Sequence, residues 1–266
     1  MITNKKIVVT GATSGIGLAV TKILAQGSGN KILAVGRKTE KIDGMFDSSV
    51  VIPFRADVST KEGVDSVFEA AIEKLGGIDI FYANAGFPYF EKMDYVDWDR
   101  IKAIFDTNVF SPIYSYQKMV QYLDGREGRV AITCSAMGEM ALPGYALYTA
   151  TKFALRGWQE AMRLEIPRNV GLTVIYPVGT ATNFFAVGTG KGDKGLKKPF
   201  PIQKVDACAR KIVEGLEKEK DEISPLWLWS VSRILFKFLP IGKKLYWLNE
   251  KRKFEAFLKT QGKKNH

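Results

Sequence analysis

Residues Lys6-Ile7-Val8-Val9-Thr10 run straight into Gly11-Ala12-Thr13-Ser14-Gly15-Ile16-Gly17, and apolar residues then recur at Leu18, Val20, Ile23 and Leu24. A buried strand, a glycine turn and a helix in that order leave few folds open. The glycines let the backbone turn tightly and come close to a ligand, and the start of the helix offers unpaired N–H groups to a phosphate. Glycine-rich turns are also common punctuation, so the motif alone is only moderately specific. At a first strand-to-helix turn it predicts a dinucleotide site rather than a bare turn, with Gly11, Thr13, Ser14, Gly15, Ile16 and Gly17 as contacts.

The next strands carry the same reading. Lys31 to Gly36 forms a second apolar run that ends in Arg37 and Lys38. About 20 residues past such a turn, a carboxylate would bind the ribose 2′-hydroxyl of NAD. Here an arginine holds the position, and a guanidinium suits the 2′-phosphate of NADP, which a carboxylate would repel. A solvated strand end is the plainer alternative. NADP(H) is preferred, with NAD(H) as the second choice. Further strands are expected at 50–54, 78–83, 130–134 and 171–176, and the third leads into Asp57 and Val58, which could edge an adenine. Helices are expected at 61–75 (Val64, Val67, Phe68, Ala71, Ile72 and Leu75 on one face), 98–123, 147–165 and 204–220. Strands alternating with helices at this spacing predict an α/β fold with a doubly wound parallel sheet, a Rossmann fold. The expected organisation is a single domain over 1–223 with a C-terminal helical extension over 224–266.

The chemistry concentrates at 134–152. Tyr148 and Lys152 lie four apart, which on a helix stacks them one turn, ~5.4 Å, apart. An ammonium beside a phenol is expected to lower the tyrosine pKa from about 10, letting it exchange a proton near neutral pH. Ser135 follows the strand Arg129 to Cys134, at the carboxyl end where open α/β sheets keep their ligands. A hydroxyl, a phenol and an amine converging there suit carbonyl–alcohol chemistry. Taken alone, a Tyr and a Lys four apart are more often a packed ring and a solvated charge. Two other spots need a reason. Asn84-Ala85-Gly86 ends the fourth strand, which an ordinary turn would explain. Asn108 interrupts the apolar face of Ile104, Phe105 and Val109, although asparagine is a poor helix former.

Composition removes other chemistries. The sole histidine is the last residue, His266, which excludes a Ser-His-Asp hydrolase or a histidine-ligated zinc; no metal is expected. Cys134 and Cys208 form neither a disulfide framework nor a metal-type spacing. No secretion signal and no run of ~18 apolar residues is apparent, so a cytoplasmic location is expected. The chain has 266 residues, enough for one large core.

Over roughly residues 5–220 the chain resembles the short-chain dehydrogenase/reductase family. The resemblance rests on the turn at 10–17, Asn84-Ala85-Gly86, Asn108, Ser135 and Tyr148-x-x-x-Lys152, five motifs in order and each on the expected element. It implies an enzyme with Tyr148 as proton donor or acceptor, Lys152 holding the nicotinamide ribose and tuning Tyr148, Ser135 binding the substrate oxygen, and Asn108 holding a water in a proton relay. It further implies cofactor contacts from Asn84, Ala85, Gly86, Pro177 and Thr182, and a homo-oligomer, dimer or tetramer. The chain departs from the pattern at Ala83, where a second asparagine is frequent, and at Pro177-Val178-Gly179, where Pro-Gly is usual; this leaves the backbone path over 177–182 open. The expected activity is an NADP(H)-dependent oxidoreductase interconverting a carbonyl and a secondary alcohol. The rivals are a non-catalytic redox sensor and a membrane-binding protein that uses the fold as a scaffold.

Phe87, Tyr89, Phe90, Tyr145, Phe184 and Phe185 suit a small apolar carbonyl or alcohol substrate, though ordinary packing explains them equally. The glycine- and lysine-rich stretch 183–203 reads as a substrate lid or a solvated insertion. Residues 224–266 hold ten basic and two acidic side chains, eight of the chain's eleven net positive charges. Residues 226–239 are apolar except Ser230, Ser232, Arg233 and Lys237, and a 14-residue helix of ~21 Å cannot cross a ~30 Å hydrocarbon core. An interfacial helix is expected, with Trp227, Trp229 and Trp247 at headgroup depth and lysines towards anionic lipid. The alternatives are a cap on the substrate pocket or an oligomer interface. Nucleic acid is not expected, because bulky aliphatic residues interrupt the basic ones.

Overall fold

The computed structural model describes residues 1–189 and 199–262. Seven strands form one parallel sheet in the order β3-β2-β1-β4-β5-β6-β9. They are β1 (Lys6–Thr10), β2 (Lys31–Gly36), β3 (Val51–Arg55), β4 (Ile80–Ala83), β5 (Gly128–Thr133), β6 (Val170–Ile175) and β9 (Glu222–Ile223). The strand order reverses between β1 and β4, paired in register from Ile7↔Ile80 to Val9↔Tyr82. That reversal opens a crevice beyond their carboxyl ends, where such sheets bind ligands.

Helices cover both faces, as parallel sheets require. Helices α2 (Lys61–Leu75), α4 (Ser111–Leu123) and α5 (Ala146–Met162) pack on one side through Val67, Phe68, Met119, Leu123 and Leu155. Helices α1 (Gly15–Leu24) and α7 (Val205–Glu217) pack on the other through Val20, Leu24, Ala209, Ile212 and Leu216. The expected apolar face of α2 is narrower than the sequence suggests. Ile72 is exposed and Ala70 is buried in its stead, because Ile72 sits at the edge of the stripe. Helix α2 is capped at both ends: the Thr60 hydroxyl accepts from Gly63 N, and Gly76 turns left-handed at φ 74°.

Three features were not foreseen from the sequence. The helix expected over 98–123 is split into α3 (Trp98–Phe105) and α4 by a π-helical turn, Asp106–Phe110, with Asn108 at its centre. Two-residue strands β7 (Gly179–Thr180) and β8 (Ile202–Gln203) pair with each other beside the crevice, with α6 (Phe184–Thr189) between them in sequence. Strand β9 adds to the sheet edge beside β6. Of the stretch read as lid or insertion, residues 190–198, including Gly190, Lys191, Gly192, Lys194, Gly195, Lys197 and Lys198, lie outside the described residues. Past Ile223 the chain forms α8 (Trp227–Phe238) and α9 (Pro240–Gly262). No described helix is long and apolar enough to cross a membrane.

Candidate active site

The glycine turn is shaped by close contact. Gly11 and Gly15 hold φ +67° and +55°, a region unfavourable for residues with a Cβ. A Cβ on Gly17 would collide with the Gly11 carbonyl oxygen and stand 2.6 Å from Asn84 Nδ2. Helix α1 therefore starts hard against the turn, with its first N–H groups facing the crevice. The turn is tied to β4 by Thr10, whose hydroxyl accepts from Asn84 N and Ala85 N at 3.0 Å each. Asn84 Nδ2 donates back to the Thr10 carbonyl at 3.0 Å. Asn84 Oδ1 accepts from Tyr82 Oη at 3.2 Å and from Thr133 Oγ1 at 3.1 Å. With its side chain spent on three strands, Asn84 acts as a strut.

Helix α5 carries Tyr148 and Lys152 on the face turned to the carboxyl end of β5. Both are buried, as are Ser135 and Asn108. The Lys152 ammonium donates to the Thr133 carbonyl at 2.9 Å and lies 5.5 Å from the Tyr148 ring centroid. Ser135 Oγ accepts from Met137 N at 3.1 Å, which curls the chain after β5 so that the hydroxyl meets the Tyr148 side chain.

The electrostatics correct the simple expectation for Tyr148. Burial raises its pKa above the usual 10, and the hydrogen bond with Ser135 opposes that shift without overcoming it. Burial brings Lys152 down to about 8. Desolvation thus keeps the Tyr148 phenol protonated at neutral pH.

Asn108 is explained by partners remote in sequence. Its Oδ1 accepts from Phe87 N at 3.1 Å, and its Nδ2 donates to the Phe87 carbonyl at 3.0 Å and to Thr151 Oγ1 at 3.2 Å. It clamps the segment leaving β4 to α5 next to Lys152, and its side-chain amide does not line the cavity.

That cavity, about 490 Å³, brings together Gly11, Ser14, Gly15, Ile16, Asn84, Ala85, Gly86, Ser135, Tyr148, Lys152, Pro177 and Thr182. The backbone left open over 177–182 resolves into β7 and a turn in which Thr182 N donates to the Thr180 carbonyl at 2.8 Å. A Cβ on Gly15 would stand 3.4 Å from Thr182 Cγ2, so Thr182 faces the glycine turn across the cavity. Phe87, Phe184 and Phe185 also line it, whereas Tyr89, Phe90 and Tyr145 belong to the aromatic cluster packed around Tyr148. Phe184 sets its ring edge-on to Tyr148, with centroids 5.5 Å apart.

The remaining expected contacts lie outside the cavity. Gly17 and Thr13 shape the turn, with Thr13 Cγ2 set 2.6 Å from where a Cβ on Gly36 would stand. Arg37 and Lys38 are exposed beyond β2 and make no ion pair among the described residues. Asp57 folds onto Ser59, accepting from its N at 3.0 Å and its Oγ at 2.8 Å, and Val58 is buried in the core. Arg37, Lys38 and Asp57 are exposed beyond the carboxyl ends of β2 and β3, where Ala56 N donates to the Gly36 carbonyl at 3.2 Å. Sequence reasoning missed Thr133 and Thr151, which hold Lys152 and Asn108. Neither carries a motif, since each acts through hydrogen bonds to residues far away in the sequence.

A family model described as short chain dehydrogenase matches residues 5–189. The uncharacterized oxidoreductase Lmo0432 of Listeria monocytogenes is 30% identical over 233 residues, 83% of this chain and 93% of the relative. The chain belongs to the short-chain dehydrogenase family. Within that family, the oxidoreductase YxnA of Bacillus subtilis is 33% identical over 181 residues, 64% of this chain and only 51% of the relative's length. A short-chain dehydrogenase/reductase from Burkholderia phymatum in complex with NAD shares the fold at TM-score 0.75 and 18% identity, over 89% of this chain and 94% of that one. One from Burkholderia cenocepacia in complex with NADP does so at TM-score 0.70 and 24% identity, over 84% and 96%. As a short-chain dehydrogenase, the protein is an oxidoreductase that acts on CH–OH groups.

Beyond residue 189, where the family model ends, α8 and α9 pack on the aromatic cluster around Tyr148. Glu139, just after Ser135, accepts from Trp229 Nε1 at 3.0 Å and from Arg233 Nη1 at 2.8 Å, and pairs with Arg156. Phe254 and Phe257 pack on Phe90, with centroids 5.3 and 5.0 Å away. One expectation for the tail is corrected here. Trp229 is buried and cannot sit at headgroup depth, and beside it Arg233 pairs with Glu139. Both follow from Glu139, a largely buried carboxylate that needs donors.

Proposed function

We propose that this short-chain dehydrogenase interconverts a carbonyl and a secondary alcohol with NADP(H), with Tyr148 as the proton donor or acceptor. The observation that carries the reading is the burial of Tyr148 and Lys152 side by side, next to Ser135, on the cavity wall. In the reductive direction Ser135 Oγ donates to the carbonyl oxygen and Tyr148 Oη gives that oxygen its proton. Lys152, fixed by Thr133, holds positive charge close to Tyr148 and stabilises the phenolate left behind. Asn108, its amide already committed, holds the segment after β4 against α5 beside Lys152. In the oxidative direction the same groups work in reverse. When bound, the nicotinamide supplies or takes up the hydride.

The residues present fit a dinucleotide. The glycine turn keeps side chains away from the start of α1, where Ser14, Gly15, Ile16 and Gly17 would receive the pyrophosphate. Lys152 would hold the nicotinamide ribose, and Pro177 and Thr182 would meet the carboxamide. No carboxylate ends β2, and the exposed cations Arg37 and Lys38 favour a 2′-phosphate over a 2′-hydroxyl, with Asp57 and Val58 beside the adenine. NAD(H) is the alternative that a missing preference would support.

Phe87, Phe184 and Phe185 on the cavity wall favour a substrate apolar around the reacting carbon. The test is a turnover screen with NADPH against apolar ketones and aldehydes. NADPH consumption dependent on an apolar carbonyl supports the reading. Tight cofactor binding without turnover on any of the panel would favour a sensor.

A further inference from the structure

The α8–α9 hairpin is apolar on two sides. Its inner stripe, including Trp229, Phe236, Phe254 and Phe257, packs on the aromatic cluster around Tyr148. Its outer stripe repeats at helical spacing as Trp227, Ile234 and Phe238 on α8 and Ile241, Leu245 and Leu248 on α9. Trp227, Phe238 and Ile241 keep 72%, 78% and 68% of their surface exposed. A helix on a soluble domain ordinarily turns a polar face outward. Here Arg233 is drawn inward to Glu139, and the outside is left apolar. A continuous patch of this kind marks an interaction surface.

The charges around it select the partner. No acidic residue occurs between 224 and 249. Lys244, Lys251 and Arg252 are exposed, and Lys243 lies 4.6 Å over the Trp247 ring. The patch continues into a groove of about 660 Å³ between the start of α5 and α9. Ala146, Ala150, Phe153 and Leu248 line this groove together with Lys244 and Lys251. An apolar trough bearing two cations suits the acyl chain and headgroup of an anionic amphiphile. A second copy of the chain fits less well, since a two-fold interface on this face would bring its lysines against their own counterparts.

We propose that the outer face of α8–α9 seats the protein on an anionic lipid surface, the helices lying in the plane of the interface. The apolar stripe sinks to the acyl boundary, Trp227 and Trp247 sit at headgroup depth, and Lys244 and Lys251 meet lipid phosphates. The proposal is independent of the roles given to Tyr148 and Lys152, because it is read by binding rather than turnover.

Sedimentation of the full chain with vesicles tests it, comparing pure phosphatidylcholine with phosphatidylcholine containing a quarter phosphatidylserine, at low salt. The wild type is expected to pellet with the anionic vesicles. Lys244→Glu with Lys251→Glu should weaken partitioning by about tenfold or more. Ile241→Ser with Leu245→Ser should abolish it, with the circular dichroism spectrum and NADPH affinity unchanged in both variants. A wild type that stays in the supernatant, or that partitions equally into both vesicle types, overturns the proposal. So does a wild-type dimer that binds no vesicles and becomes a monomer in the Ile241→Ser/Leu245→Ser variant, since the face would then join two copies.

Discussion

Lys152 reaches across from α5 to the last carbonyl of β5, donating to Thr133 at 2.9 Å, and this one bond sets the ammonium beneath the Tyr148 ring. The lysine is buried and its pKa is brought down to about 8 by desolvation. At neutral pH the native state therefore carries a charge at a cost.

That cost has a definite pH signature. In the unfolded chain the lysine titrates at its usual 10.5, and in the native state at about 8. Between those values the unfolded state holds a proton that the native state has released, so native stability rises with pH across the window. Below pH 8 both states are charged and the penalty is constant, of roughly 3 kcal/mol at most. Urea unfolding of wild type and Lys152→Met from pH 7 to 10.5 should show the wild type gaining on the variant as pH rises. A constant difference would mean that Lys152 is not desolvated as described.

Gly17→Ala tests the glycine turn. The new methyl group would meet the Gly11 carbonyl oxygen and Asn84 Nδ2, so the start of α1 must move. Overpacking of this kind costs about 1–3 kcal/mol, and the displaced turn should weaken dinucleotide binding at least tenfold. A thermal melt and an NADPH fluorescence titration measure the two effects. Wild-type cofactor affinity in the variant would show that α1 need not abut the turn.

Arg37→Ala tests cofactor choice. Loss of a charge-assisted bond to the 2′-phosphate should weaken NADPH by roughly 1.5–3 kcal/mol, about tenfold to a hundredfold, and leave NADH unchanged. Equal affinities for both cofactors in the wild type would mark Arg37 as a solvated strand end.

Glu139→Ala should loosen the C-terminal hairpin. It removes the acceptor of Trp229 and Arg233 and leaves their donors without it, at a cost of about 1–3 kcal/mol. Limited trypsin digestion should release the segment beyond Ile223 sooner than in the wild type. Unchanged cleavage would mean that aromatic packing by Phe254 and Phe257 alone holds the hairpin.

The parts of this molecule legible in its sequence are those set by local pattern. The glycine turn, six of the strands and the four-residue spacing of Tyr148 and Lys152 each follow from neighbours in the chain. What escaped depends on residues far apart. The π turn at Asn108 reflects bonds to Phe87 and Thr151, and the inward turn of Arg233 reflects Glu139. The two-residue strands β7, β8 and β9 are too short to carry any periodicity. The upward shift of Tyr148 was not legible either, because spacing reveals a neighbouring ammonium but not the burial that raises the phenol's pKa.

Tyr148 is the proposed proton carrier, and Tyr148→Phe tests that role most directly. Steady-state NADPH oxidation with a carbonyl that the wild type reduces should fall by about a thousandfold, within the range of lost general acid catalysis. NADPH affinity, titrated on the same preparation, should stay within about threefold of the wild type, because only a hydroxyl is lost and Lys152 keeps its bond to Thr133. Undiminished turnover in the Phe variant would contradict the central assignment.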